Sequence, residues 1–163
     1  MEYTLHPIAT GDGAAIIDIF NYYVENSFAA YPEAKLPYGA FAMFQQMSQG
    51  YPRGTVQDPT GKVVGFGMLR PHNPLPVFSH TAEITYFIDH EHTGKGLGRL
   101  LLTFLIDKGR HQGITNVLAS ISSLNTGSIR FHQQNGFIEC GCFKNVGRKH
   151  GQWFDTLWMQ KKL

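Results

Sequence analysis

The chain has 163 residues, enough for one domain (1–163) with a full core, and its 42% hydrophobic and 16% charged residues exclude intrinsic disorder. A formal charge of +2 without any basic run argues against nucleic acid and suits one phosphorylated small molecule instead. No apolar stretch nears the ~20 residues of a membrane span, and Met1-Glu2-Tyr3-Thr4 lacks a secretory n-region and h-region, so a cytoplasmic location without membrane partners is expected.

Alternation over 3–8 predicts an opening strand, after which Asp12 is expected to cap a helix whose Ile16, Ile19, Phe20 and Tyr23 share one face. A second helix is expected from about Pro37, carrying Tyr38, Phe41, Phe44 and Met47. The stretch 27–36 between them is irregular and aromatic; its Phe28 and Tyr31 either pack in the core or wall a small polar ligand. Residues 53–57 and 63–70 read as a hairpin across Asp58-Pro59-Thr60-Gly61, and Pro71 to Pro76 as a loop. Then come a central strand (81–89), a helix (96–111), a strand (116–121), a short helix (125–135) and two closing strands (137–144 and 153–161). Strands outnumber helices in mixed order, which places the chain in the α/β (α+β) class, with a mixed, largely antiparallel twisted sheet of six to seven strands and flanking helices.

The central strand meets its helix through Thr93-Gly94-Lys95-Gly96-Leu97-Gly98-Arg99, and Leu97, Leu100, Leu101, Phe104 and Leu105 then recur along one helical face. Glycines let the main chain approach an anion at a helix N-terminus, and Lys95 and Arg99 add charge. The spacing fits neither the dinucleotide fingerprint nor a Walker A loop. Cys140 and Cys142 stand two apart on one strand face, too far for a relaxed disulfide, and are expected to be free core thiols. Among eight histidines, His90 and His92 read as solvated loop residues; no metal site is expected.

The glycine loop, with Asn125-Thr126-Gly127-Ser128-Ile129-Arg130-Phe131-His132-Gln133-Gln134-Asn135-Gly136-Phe137, resembles the GNAT superfamily of acetyl-CoA-dependent N-acetyltransferases. Thr81-Ala82-Glu83 and the run Val146-Gly147-Arg148-Lys149-His150-Gly151-Gln152-Trp153-Phe154-Asp155 are similar to its phosphinothricin/methionine sulfone acetyltransferase branch. The resemblance implies a sheet whose central strands splay to admit pantetheine, acetyl-CoA as donor, a small amino-acid-like amine as acceptor, and a homodimer. It implies that the pyrophosphate lies on Thr93 to Arg99, and that Asn125 and Ser128 help hold pantetheine. Thr93 stands where the family usually has Arg or Gln.

Glu83 is the candidate base, a carboxylate among Ala82, Ile84, Tyr86 and Phe87 whose apolar setting is expected to raise its pKa; a structural glutamate paired to a neighbouring base is the alternative. His132 takes the position of the family's thiolate-protonating tyrosine. The main-chain edge at Tyr86, Phe87 and Ile88 is expected to pair with pantetheine and polarise the thioester carbonyl. Arg70 could grip an acceptor's carboxylate or phosphinate, and Lys149 and Trp153 could line the acceptor pocket or a dimer contact. No cysteine motif suggests an acyl-enzyme, so direct transfer in a ternary complex is expected. Acetylation of a protein N-terminus or lysine, and a non-catalytic acetyl-CoA sensor, are the other readings.

Overall fold

The computed structural model describes residues 2–163. Among them run, in chain order, β1 (Thr4–His6), α1 (Gly13–Asn26), α2 (Phe41–Met47), β2 (Arg53–Gln57), β3 (Val63–Pro71), β4 (Thr81–Ile88), α3 (Leu97–His111), β5 (Asn116–Ser122), α4 (Thr126–Gln134), β6 (Ile138–Lys149) and β7 (Gln152–Lys162). The strands form one sheet in the order β1-β2-β3-β4-β5-β7-β6, antiparallel everywhere except between β4 and β5.

Each face of the sheet buries one apolar layer. On one face α3 presses Leu102, Leu105 and Ile106 onto Leu69, Ile84, Val117, Ile121 and Met159. On the other, Ile16, Ile17 and Ile19 of α1 and Phe41 and Phe44 of α2 cover Phe66 and Met68. Leu101 and Leu105 are wholly buried, so the helix that carries the glycine loop is anchored by side chains contributing about 1.5–3 kcal/mol each.

The parallel pair matters most. β4 and β5 are bonded only across Thr81–Asn116, Ala82–Val117 and Glu83–Leu118. Beyond Glu83, β4 stays with β3 as far as Ile88, while β5 follows β7 as far as Ser122. The sheet therefore opens as a V, and the facing edges of both strands lack a strand partner there.

Four expectations need correction. Asp12 stands at the N-cap position of α1 but makes no side-chain capping bond: its carboxylate turns back to accept from the Ala9 N–H at 2.7 Å, across a 3-10 turn over Thr10–Asp12, and the helix starts at Gly13. The second helix starts at Phe41 and not near Pro37, because Tyr38–Ala40 winds as a 3-10 turn that leaves Tyr38 in solvent, where its hydroxyl donates to Asp18; Met47 is also exposed. β6 runs on to Lys149, since a bulge at Asn145 (φ 52°), whose N–H donates to the Asp155 carboxylate, interrupts the alternation without ending the strand. Cys140 and Cys142 are free, but they lie on an edge strand, the first exposed and the second half-buried, and not in the core.

Candidate active site

A cavity of about 1000 Å³ fills the V. Glu83 to Ile88 line it from β4 and Ala119 to Ser122 from β5; Thr93, Gly94, Gly96 to Arg99, Asn125 and Ser128 lie at the α3–α4 side, and Tyr31, Met43, Phe44, Met47 and Trp158 at the other. Lys95 belongs to the loop, but its exposed side chain is not part of the lining.

The glycine loop turns through left-handed conformations at Gly94 (φ 73°) and Gly96 (φ 81°), and a Cβ at either would meet nothing within 4 Å. Glycine is needed there for its backbone, and the space beside it is open to a ligand. The first helical bond runs from Leu100 N–H to Gly96, so the amides of Leu97, Gly98 and Arg99 have no helical acceptor. Free amides at a helix N-terminus beside open space can hold an anion such as a phosphate, and the unpaired β4 edge beyond Glu83 leaves main-chain groups available to an extended ligand. Thr93 donates its hydroxyl to the His90 carbonyl at 3.0 Å, shaping the turn, and Asn125 accepts from Ser128 N–H at 3.3 Å, capping α4. Gly96→Ala should cost about 1–2 kcal/mol of stability and raise KM for acetyl-CoA, read by thermal melting and initial rates.

Glu83 faces Arg70 across the β3–β4 register. Arg70 Nη2 lies 3.1 Å from Oε1 and His72 Nδ1 3.0 Å from Oε2, with the Glu83 side chain 11% exposed. The carboxylate is therefore not isolated among apolar groups; both oxygens are paired while it lines the cavity. Arg70 also lines the cavity, but its Nε donates to Thr85 Oγ1 at 3.4 Å, so two of its three nitrogens are engaged before an acceptor arrives.

His132 is buried, 4% exposed. Its Nδ1 stands 2.7 Å from the Ser128 carbonyl, an acceptor only, so Nδ1 carries the proton and Nε2 accepts from the Tyr86 hydroxyl, also at 2.7 Å. Both ring nitrogens are thus occupied in the hydrogen bonds to Ser128 and Tyr86, and His132 lines the cavity beside Tyr86. Burial lowers the imidazole pKa, against the carbonyl's opposing pull, and raises that of the phenol. A buried neutral histidine disfavours folding only where the unfolded imidazole is protonated. Stability is therefore full above about pH 6.5 and falls as pH drops from there through the lower folded pKa. His132→Gln should flatten that acid limb in melting curves collected from pH 7.5 downward.

On the opposite side Tyr31 stacks on Phe154 (5.5 Å, 17°), and burial raises the pKa of its phenol. Tyr23 donates its hydroxyl to the Ile88 carbonyl, and burial pushes its pKa up to about 12. That carbonyl is consequently taken before pantetheine binds. Three expected acceptor residues lie outside the lining. Phe28 packs edge-on against Phe154 at 5.9 Å; Lys149 is buried with its ammonium spent on main-chain carbonyls; Trp153 is 56% exposed beneath Arg148.

The sequence reading missed Tyr23, which shares a helix face with core residues, and Trp158, which has no motif around it. His92, expected as a solvated loop residue, lines the cavity with Nδ1 3.1 Å from Tyr3 Oη, while His90 stacks on Tyr22 at 3.8 Å. Among the described residues no group of three His, Cys, Asp or Glu could hold a metal ion.

Residues 16–137 match the model of the acetyltransferase (GNAT) family. A Pseudomonas aeruginosa L-methionine sulfoximine/L-methionine sulfone acetyltransferase is 33% identical over all of this chain and 96% of its own length. The crystal structure of a phosphinothricin acetyltransferase from Sinorhizobium meliloti in complex with acetyl-CoA superposes with a TM-score of 0.93 at 30% identity, covering 100% of this chain and 89% of that one. A ribosomal-protein-alanine N-acetyltransferase from Brucella melitensis superposes with a TM-score of 0.91 at 32% identity, covering 98% and 99%.

Proposed function

Because the chain belongs to the GNAT acetyltransferase family, we propose that it moves the acetyl group of acetyl-CoA directly onto the α-amine of a small amino acid or analogue of the methionine sulfone, methionine sulfoximine or phosphinothricin kind. One observation carries this reading: a single cavity runs from the glycine loop, through the gap between β4 and β5, to Glu83 and Arg70. Donor and acceptor can meet there without an acyl-enzyme.

Making an α-amine neutral at pH 7 costs about 1.4 kcal/mol, and a lysine amine about 4.6 kcal/mol, so a base helps in both cases. We assign that base to Glu83, whose two carboxyl oxygens face Arg70 and His72. The amine nitrogen attacks the thioester carbon, its proton passes to Glu83, and the carbon–sulfur bond breaks. Main-chain N–H groups near Phe87 polarise the carbonyl, and the thiolate departs on the Tyr86 side. With a thiol pKa near ~8.5, the thiolate can take its proton from solvent after release. Arg70, with Tyr31 above, orients the acceptor's acidic group.

Tyr31, Met43, Met47 and Trp158 line the acceptor end with aromatic and apolar side chains around Arg70 and Glu83, a lining that suits a small amino-acid-like amine. The exposed Phe143, Val146 and Trp153 of the outer hairpin suit a homodimer contact, and a cytoplasmic, single-domain enzyme fits the whole. Among the described residues no helix is long and apolar enough to cross a membrane.

Thiol release from acetyl-CoA against methionine sulfone, methionine sulfoximine, phosphinothricin, free amino acids and short peptides tests the proposal. Turnover confined to the amino-acid-like acceptors is expected; turnover only with peptides, or acetyl-CoA binding without any turnover, would overturn it.

A further inference from the structure

We infer that Lys149 is a positioning residue for the acceptor wall, a buried cation that shapes the end of α1 and the loop after it so that the amine is selected. The inference rests on the acetyltransferase reading above. Lys149 closes β6 and is 1% exposed. Its Nζ donates to the carbonyls of Val24, Ser27 and Ala30, each at 2.7 Å. An ammonium has three protons, and all three are used. The Val24 carbonyl lies in the last turn of α1, where helical acceptors lack partners and a positive charge is favoured.

The carbonyls belong to the segment that walls the acceptor end. Residues 27–36 contain no helix or strand, yet Ala29 to Pro32 line the cavity. The hairpin of β6 and β7 grips this segment at further points: His150 N–H donates to Glu33 Oε1 at 2.8 Å, and Phe154 stacks under Tyr31. Gly147 makes room for that ring, since a Cβ there would stand 2.1 Å from it. Without Nζ, three desolvated carbonyls could regain partners only by opening the segment to water, which would displace Tyr31. The donor side is built from the glycine loop and α4, so acetyl-CoA should be unaffected.

Steady-state kinetics and hydrogen exchange of Lys149→Met test this. KM for methionine sulfone should rise about tenfold or more, KM for acetyl-CoA should stay within about twofold, and exchange should quicken in 27–36 but not in β3 or β5. Unchanged KM values, or an equal rise in both with exchange faster everywhere, would overturn the proposal. If Lys149→Met does not fold, Glu33→Ala, which frees only the His150 N–H at the surface, should show the same selective rise on a smaller scale; no rise overturns it. A wild-type protein that acetylates no amine would defeat the acetyltransferase reading instead. In that event exchange in 27–36 still decides, and its insensitivity to Lys149→Met would sink the positioning role.

Discussion

Glu83→Gln should lower kcat by about 10²-fold or more at pH 7, the size expected when a positioned base is removed. The amide keeps the shape of the carboxylate but cannot take the acceptor's proton. The loss should shrink as pH rises past ~8, where an α-amine deprotonates unaided. The same change should lower stability, because Arg70 and His72 both donate to this side chain and an amide can satisfy only one of them. The check is a pH profile of thiol release for both proteins, with melting curves beside it. A mutant slowed equally at every pH would mean that Glu83 only braces the β3–β4 pair.

Tyr86→Phe should cost about 1–3 kcal/mol of stability, because it leaves the buried Nε2 of His132 without its donor. Activity should also fall by about tenfold or more, since the polar group on the thiolate side is lost, while KM for acetyl-CoA changes little. A double-mutant cycle separates the two effects. Tyr86→Phe combined with His132→Phe should recover part of the stability lost in the single mutant, since no orphaned nitrogen remains, but none of the activity. Additive stability losses would mean that the hydrogen bond seen between these residues contributes little.

Much of this site was legible in the chain because its parts are local. The glycines of 94–98 announce a tight turn before a helix, and the structure gives Gly94 and Gly96 left-handed backbones that glycine adopts without steric cost. The central strand and the helix after it were placed within a residue or two, because their periodicities are unbroken over many residues. What sequence could not give depends on contacts across long separations. Glu83 looked isolated among apolar neighbours because its partners, Arg70 and His72, lie on another strand and in the loop after it. Lys149 looked like a pocket residue because its three carbonyls lie 119 to 125 residues away. His132 was correctly sited in α4, but its tautomer is set by Ser128 and Tyr86, which spacing alone does not reveal. The end of β6 was misplaced because a bulge breaks the two-residue rhythm on which a strand is recognised.

The central claim is direct acetyl transfer between two ligands that occupy one cleft together. Initial rates measured while acetyl-CoA and L-methionine sulfone are both varied test it most directly, with N-acetyl-methionine sulfone identified as the product. Intersecting reciprocal plots, with one product formed per thiol released and no acetylated protein by mass, are predicted. Parallel plots with an acetyl group trapped on the chain, or thiol release without acetylated amine, would contradict the account.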